Sequence, residues 1–347
     1  MRQTASPEKW KELYGIAREL ECLEPWHCFH ASQLIAIQPA GRSEPLFCSI
    51  LDSDEGGPGV SVYDGIQGLY DFHMLTCPEN SGLSDYYALF DHDALTCRWM
   101  SQDAIPSDQR RLICEWKLPT PGTDNWPFFL SYRKRFMPCL PDEDETGLLI
   151  DLFRNLIDAV HRYQSDPVCV DWEHGEILWH FYNMLRGCWN TFPSSMPNPR
   201  RPYPPMRLGN ELLRKRLQKQ DGNGAILLVD FIYLGIPVHD HHFERPLNPH
   251  AILVLDAGTK ALVYKDILQP DDSEAEALAR FFIHYVMENG RMTRILARHP
   301  LVFGALADTC RYCGVELKEG TLSDIDSVAI LLTDLLSSQK VVEALIP

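Results

Sequence analysis

The sequence predicts two domains of mixed α+β and α/β class, of which the C-terminal one is a three-layer domain with the order β-β-β-α-β-α-β-α. At 347 residues the chain is longer than one typical domain. Residues 193–205 contain six prolines, which predict an extended break. All eight tryptophans precede this break, so the composition changes across it. We therefore predict an N-terminal domain at 1–190, a Pro-rich linker at 191–210 and a C-terminal domain at 211–347.

The N-terminal domain begins with a predicted helix. Ser6 is a suitable N-cap, and Pro7 costs no hydrogen bond at the first helical position. An acidic lead-in at 141–147 and apolar residues at helical spacing over 148–160 predict a long amphipathic helix later in this domain. Short apolar runs bounded by turn residues predict strands at 34–37, 46–51, 60–63 and 126–132.

A β-hairpin is predicted at the end of this domain. Apolar residues at 168–172 and 177–181 flank a turn at 173–175, and that spacing is typical of two antiparallel strands. The prolines from position 193 onward then exclude regular structure, because proline cannot donate a backbone hydrogen bond. The hairpin is therefore expected to lead directly into the linker.

Three apolar runs at 225–234, 251–255 and 261–268 predict the first strands of the C-terminal domain. Helices and short strands then alternate to about residue 337. This layout resembles the RNase H-like fold, and the runs VDFIYL and ILVLDAGTKALVYKDI resemble the start of its integrase-type members. In that resemblance Asp230 occupies the metal-ligand position of the first strand.

The carboxylates of the C-terminal domain are the candidates for catalysis. Phosphodiester hydrolysis by two metal ions requires several carboxylates around ions about 4 Å apart. Asp230 and Asp256 lie next to apolar runs, and Asp324 or Asp326 on the last helix offers a third acid. The RNase H-like resemblance calls for another Asp at the end of the fourth strand, where this sequence has Arg298. Asp230, Asp256 and Asp324 are therefore catalytic candidates in an incomplete set.

The segment HDHHFERPLNPH carries the candidate metal ligands. His239 and His241 are two residues apart, which places both on one face if the segment is a strand. Together with His242 and His250 they offer imidazoles, which suit zinc, copper or nickel. The prolines indicate a loop, for which an exposed His-rich surface without metal is the simpler interpretation. No cofactor is predicted, and a divalent metal stays an open alternative.

The net charge of −16 argues against generic binding to nucleic acid or to an anionic membrane. Residues 200–219 are an exception, with seven Lys or Arg against one Glu. We predict that this segment binds a protein partner or an acidic ligand. A solvated helix face, or pairing with the protein's own acids, is the alternative. The binding candidates are Arg200, Arg201, Arg207, Arg214, Lys215 and Arg216.

The cellular location is predicted from cysteines and from targeting signals. The chain has eleven cysteines, an odd number without framework spacing, which favours free thiols in a reducing compartment. The N-terminal residues MRQTASPEKW lack the charged and apolar pattern of a signal peptide. No apolar run approaches the roughly 18 to 20 residues that span a bilayer. We therefore expect a cytoplasmic protein.

Several short patterns in the chain are distinctive. Those in the N-terminal domain are Trp10 with Leu13-Tyr14, Leu23-x-Pro25-Trp26, Phe47-Cys48-Ser49-Ile50 and Trp126-Pro127-x-Phe129. Those in the C-terminal domain are Arg245-Pro246 and Asp256-x-Gly258-Thr259. Together they resemble an uncharacterised bacterial family that joins two domains of unknown function. The resemblance implies the domain layout and a bacterial cytosol, and it implies no activity.

The leading hypothesis is a non-catalytic cytosolic binding protein, and the alternative is a metal-dependent phosphodiester hydrolase of RNase H-like fold that uses Asp230. The hydrolase requires Asp230 to lie near another carboxylate in a cleft that a metal ion can enter. Burial of Asp230 against a Lys or Arg would contradict it. The binding hypothesis requires exposed and unpaired basic side chains within residues 200–219.

Overall fold

The computed structural model describes residues 4–52, 57–76, 83–119, 125–166, 168–199, 203 and 205–338. These residues belong to two compact units. The first is drawn from Met1–Thr76, His92–Arg133 and Pro138–Arg200, and the second from Cys77–Asp91, Lys134–Met137 and Arg201–Pro347. Two short segments that precede the proline-rich break therefore belong to the second unit. Of the helices that the structure describes, none combines the length and the apolar character that crossing a bilayer requires.

The elements are numbered in chain order. The α-helices are α1 (Pro7–Cys22), α2 (Gly65–Thr76), α3 (Asp85–Phe90), α4 (Ser107–Trp116), α5 (Glu143–Ser165), α6 (Glu211–Gln218), α7 (Glu274–Asn289), α8 (Pro300–Cys313) and α9 (Ser323–Ser338). The strands are β1 (Leu34–Gln38), β2 (Leu46–Leu51), β3 (Gly59–Asp64), β4 (Ala94–Ser101), β5 (Asn125–Tyr132), β6 (Glu176–Asn183), β7 (Cys188–Ser195), β8 (Ile226–Tyr233), β9 (His250–Asp256), β10 (Leu262–Leu268), β11 (Arg294–Ala297) and β12 (Glu316–Glu319). Both units mix helices with strands, which confirms the predicted fold class.

The first unit is built on a seven-stranded sheet of order β5-β4-β3-β2-β1-β6-β7. Neighbouring strands in this sheet are antiparallel, except for β1 and β6, which are parallel. Helices α1 and α5 cover one face, with Trp10 and Phe153 fully buried beneath them. The predicted N-cap of α1 is present, because the Ser6 side chain accepts a hydrogen bond from the Lys9 backbone N–H. A capping box between Asp142 and Glu145 starts α5.

The predicted hairpin at the end of this unit is shifted along the chain. Residues 168–172 were expected to form a strand, but Trp172–His174 is a 3-10 turn that the Asp171 side chain caps at the His174 N–H. The partner of β6 is β7, with Leu178 opposite Pro193. Because β7 is an edge strand, it can contain a proline without loss of a ladder hydrogen bond. The first residues of the predicted linker therefore belong to the sheet.

The second unit has a five-stranded sheet of order β10-β9-β8-β11-β12. Strand β9 is antiparallel to both β8 and β10, whereas β8, β11 and β12 are mutually parallel. Helix α9 packs on the face of β8 that carries Leu228 and Ile232. Successive residues of a strand point to opposite faces of the sheet, so Phe231 lies on the face away from α9. There it contacts the ring of His299 at the start of α8. The elements follow the predicted order β-β-β-α-β-α-β-α in three layers.

Gly290 ends α7 in a conformation that only glycine adopts without strain. Its φ of 84° and ψ of 177° lie outside the regions open to other residues. A Cβ atom at this position would lie 2.6 Å from the backbone oxygen of Asp221.

We expect Gly290→Ala to lower the free energy of unfolding by about 1–3 kcal/mol in denaturant titrations. The control is Gly209→Ala, where an added Cβ meets nothing within 4 Å. Equal unfolding midpoints for the two variants would contradict this account.

Candidate functional site

The candidate site lies where two parallel strands of the second unit run side by side. Asp230, on the central strand β8, is 1% exposed. Its neighbouring strand β11 pairs in register, with Ala297 opposite Val229. Arg298 follows Ala297 directly and is therefore brought to the side of Asp230. The Nε atom of Arg298 donates a hydrogen bond of 2.5 Å to the Oδ2 atom of Asp230.

Arg298 also binds a second carboxylate, that of Asp326 in the first turn of α9. Its two terminal nitrogens donate hydrogen bonds of 3.1 Å and 2.5 Å to the two oxygens of Asp326. A two-pronged contact of this kind is the strongest geometry available to a guanidinium and a carboxylate. The guanidinium of Arg298 therefore lies between Asp230 and Asp326 and directs three nitrogens at them.

Burial dominates the electrostatics of Asp230. Loss of hydration raises the pKa of its carboxyl group to about 6, although the charge and hydrogen bond of Arg298 act in the opposite direction. The desolvation of this carboxylate therefore costs more free energy than its contact with Arg298 returns. Asp230 therefore becomes protonated in mildly acidic solution, as the pH falls below about 6.

The other two catalytic candidates are engaged at the turn between β9 and β10. Asp256 lies opposite Leu227, three residues along β8 from Asp230. Its Oδ1 atom accepts hydrogen bonds from the backbone N–H groups of Gly258 and Thr259 and from the Thr259 hydroxyl. These bonds, that of the Thr259 N–H first, lower the pKa of Asp256. Asp256 thus shapes a turn.

Asp324 forms an ion pair with Lys260 of the same turn. The helical acid that joins Asp230 at Arg298 is instead Asp326. The sequence offered both acids for this position, and the structure selects Asp326. In the sequence Arg298 is a departure from a carboxylate pattern, and its place between Asp230 and Asp326 is visible only in the structure. The sequence signal that could have pointed to this role is a basic residue, Arg298, directly after the buried parallel strand β11.

The histidine candidates separate into two groups. His250 is 0% exposed on β9, where its ring stacks against those of Phe231 and Tyr233. Burial lowers its pKa well below the ordinary value, so the ring stays neutral in the core. The expectation that His250 joins the loop histidines as a ligand is therefore wrong. Aromatic contacts hold it inside the fold.

The loop histidines remain at the surface, although not as the predicted set. Ligand atoms of Asp240, His241 and His242 all lie within 4.8 Å of one another. His239 is exposed and lies outside this group. Asp240 is thus the third member of the group with His241 and His242. The spacing of the histidines in the sequence did not indicate it.

Only some basic side chains of the predicted segment 200–219 are exposed and unpaired among the described residues. Arg200 and Arg201 lie outside the described residues. Arg214 of α6 pairs with Asp308 at 3.2 Å, and its guanidinium carbon lies 4.2 Å from the centre of the Tyr312 ring. Arg214 therefore helps to attach α6 to α8, and its assignment to the free binding set is corrected. The candidates that are exposed and have no ion-pair partner among the described residues are Arg207, Lys215 and Arg216.

Comparison with known proteins identifies two segments. Residues 10–180 match the family model described as Domain of unknown function (DUF7309), and residues 213–331 match that described as Domain of unknown function (DUF6930). The predicted joining of two domains of unknown function is thereby confirmed. No curated protein matches the chain.

The solved structures add a distant likeness. One of those that match is the cryo-EM structure of a simian T-cell lymphotropic virus intasome in complex with PP2A regulatory subunit B56 gamma, with 11% identity and a TM-score of 0.25. The match covers 36% of this chain and 45% of that chain, so this chain spans less than half the length of its match. A likeness of this size carries no argument about fold or function.

Proposed function

We propose that this protein acts by binding, and that its second unit is a non-catalytic module of RNase H-like fold. The observation that carries the non-catalytic part of the proposal is the Arg298 guanidinium between the carboxylates of Asp230 and Asp326. The strand order β10-β9-β8-β11-β12, with β9 antiparallel to its neighbours, supports the RNase H-like assignment. In this arrangement a side chain supplies the positive charge that a metal ion would bring to an active relative.

A guanidinium cannot replace a metal ion in hydrolysis. A catalytic ion offers open coordination positions, and it lowers the pKa of a bound water to make a nucleophile. Arg298 has donors only, remains charged, and already directs three nitrogens at protein oxygens. The burial of Asp230 against an arginine therefore argues against the alternative, a phosphodiester hydrolase that uses Asp230.

The proposed binding surface is one face of helix α6. Leu212, Lys215, Arg216 and Lys219 follow one another at helical spacing, so their side chains share this face. Leu212 is 74% exposed, and the three basic residues are also exposed. No described acid pairs with the three basic residues. We call these four residues the α6 basic face.

The α6 basic face suits an acidic protein segment that also carries an apolar side chain. Its three positive charges attract carboxylates, and Leu212 offers an apolar contact at the same place. The net charge of −16 opposes long-range attraction of a nucleic acid, whereas a short acidic peptide meets mainly the local charge. We therefore favour a protein segment over a nucleic acid as the occupant.

Charge reversal on the α6 basic face tests this proposal. A labelled peptide that alternates Glu and Leu is titrated with the whole protein, and binding is measured by fluorescence anisotropy. The triple variant Lys215→Glu/Arg216→Glu/Lys219→Glu should bind the peptide about 100-fold more weakly, because like charges across an interface cost several kcal/mol. Leu212→Ser should weaken peptide binding and leave binding of a single-stranded DNA of equal charge unchanged.

The matched control reverses three exposed charges of the first unit, Lys11→Glu, Arg18→Glu and Arg186→Glu. It changes the net charge equally and should leave peptide binding intact. Tighter binding of the DNA than of the peptide would identify nucleic acid as the ligand class and overturn the proposal. Mg²⁺-dependent cleavage of a labelled DNA or RNA that disappears in Asp230→Asn would overturn its non-catalytic part.

The proposed location is a bacterial cytosol. The ten cysteines that the structure describes are free thiols, and several of them, such as Cys22, Cys28 and Cys169, are exposed. Exposed thiols of this kind suit a reducing compartment.

A further inference from the structure

The connection between β8 and β9 holds a small, well-defined turn. Val238 and Leu247 pair through two backbone hydrogen bonds of 3.0 Å and 2.8 Å and close the loop at its base. At the tip, the N–H of Phe243 donates to the backbone oxygen of Asp240 at 3.1 Å. The Phe243 ring packs edge-on against Phe136 of the same unit. The backbone of Asp240 and the two histidines after it is thus fixed by contacts on both sides.

Three side chains of this turn direct ligand atoms at one another. The Oδ1 atom of Asp240 lies 2.8 Å from Nδ1 of His242 and 3.6 Å from Nδ1 of His241. The centres of the two imidazole rings are 3.9 Å apart. Both histidines are open to solvent, at 86% and 70% side-chain exposure for His241 and His242. The Asp240 side chain is 15% exposed, so an ion from solution would approach the three ligand atoms from the side of the histidines.

These separations match the coordination shell of a small divalent ion. Zinc binds imidazole nitrogen and carboxylate oxygen at about 2.0–2.2 Å, so two ligands of one tetrahedral ion lie about 3.4 Å apart. The 2.8 Å and 3.6 Å distances within this turn fall on either side of that value. Small side-chain rotations would bring the three atoms onto one ion, because the exposed rings are not held by packing.

We propose that Asp240, His241 and His242 form a surface site for a divalent transition-metal ion. Two imidazoles and one carboxylate favour Ni²⁺, Cu²⁺ or Zn²⁺ over Mg²⁺ and Ca²⁺, which prefer oxygen ligands. Solvent completes the shell, since the turn is open on its outer side. The site does not depend on the α6 basic face or on Arg298, so it stands apart from the proposed function.

The test is a calorimetric titration of the whole protein, made without a polyhistidine tag, with NiCl₂. Nickel is chosen because imidazole ligands suit it. The double variant His241→Ala/His242→Ala should lose the tightest site. Asp240→Asn should weaken that site at least tenfold, because even the loss of an outer-shell partner costs about 10- to 100-fold in metal affinity. Both histidines are exposed on a turn, so circular dichroism should show an unchanged fold for the double variant.

Two control variants mark the limits of the site. His239→Ala removes an exposed histidine outside the ligand group, and His174→Ala removes an exposed histidine that pairs with Asp171 elsewhere. Both should keep the tightest Ni²⁺ site. The proposal is overturned if the double variant keeps it with wild-type affinity, if either control loses it, or if Mg²⁺ competes for it on equal terms.

Discussion

Arg298→Met should lower the free energy of unfolding of the second unit by about 3–5 kcal/mol near pH 8, the usual cost of removing one partner of a buried ion pair. Methionine fills a similar volume but leaves the Asp230 carboxylate buried without a cation. The loss should be much smaller near pH 5, because Asp230, with its pKa raised to about 6, is then protonated. All eight tryptophans belong to the first unit. Hydrogen exchange of β8 peptides is therefore the measurement that reports this loss.

The control for this prediction is Arg294→Met, at the other end of β11. Arg294 pairs with Glu316, but both side chains are more than a third exposed, so its loss should cost less than about 1 kcal/mol. Equal losses from Arg294→Met and Arg298→Met would show that the Arg298 cluster has no special energetic role. The double variant Asp230→Asn/Arg298→Met should recover most of the loss, because no buried charge then lacks a partner.

The layout of the second unit could be predicted because it depends on local signals. Apolar runs set the strands, and the residues at the helix ends set the alternation with helices. Parallel pairing of β8 with β11 then places Arg298 beside Asp230. What local sequence could not decide is which helical acid completes the cluster. Ile325 is 0% exposed and faces the sheet, so Asp324 and Asp326 diverge on either side of it, one toward Lys260 and one toward Arg298.

Long-range pairing explains the predictions that failed. The strand expected at 168–172 had a suitable apolar pattern, but β6 pairs with β7 on one side and with β1 on the other. His250 was grouped with the loop histidines because of its place in the sequence. The register of β9 instead places it opposite Tyr233, beneath aromatic rings. Neither outcome is visible in a window of ten residues, because each depends on a partner distant in the chain.

Asp230 makes the stability of the folded protein depend on pH. Its carboxyl pKa rises from the ordinary 3.8 to about 6 in the folded protein, first because of burial. The folded state therefore binds this proton more tightly than the unfolded state. The stabilising contribution is complete below about pH 3.8 and is lost as the pH rises through about 6. A shift of this size corresponds to about 3 kcal/mol between the two limits.

Asp230→Asn should remove this dependence, because asparagine keeps the shape of the protonated side chain and does not titrate. We expect the variant and the wild-type protein to differ little in stability near pH 4. Near pH 8 the variant should be the more stable by up to about 3 kcal/mol, with Arg298 still held by Asp326. Denaturant titrations at a series of pH values measure the difference, and groups that titrate equally in both proteins cancel. A wild-type protein that gains stability relative to the variant as the pH rises would mean that the ion pair with Arg298 outweighs the desolvation of Asp230. The contacts among Asp230, Arg298 and Asp326 would then stabilise the folded protein at neutral pH. Burial of Asp230 would not be a net destabilising feature of the fold.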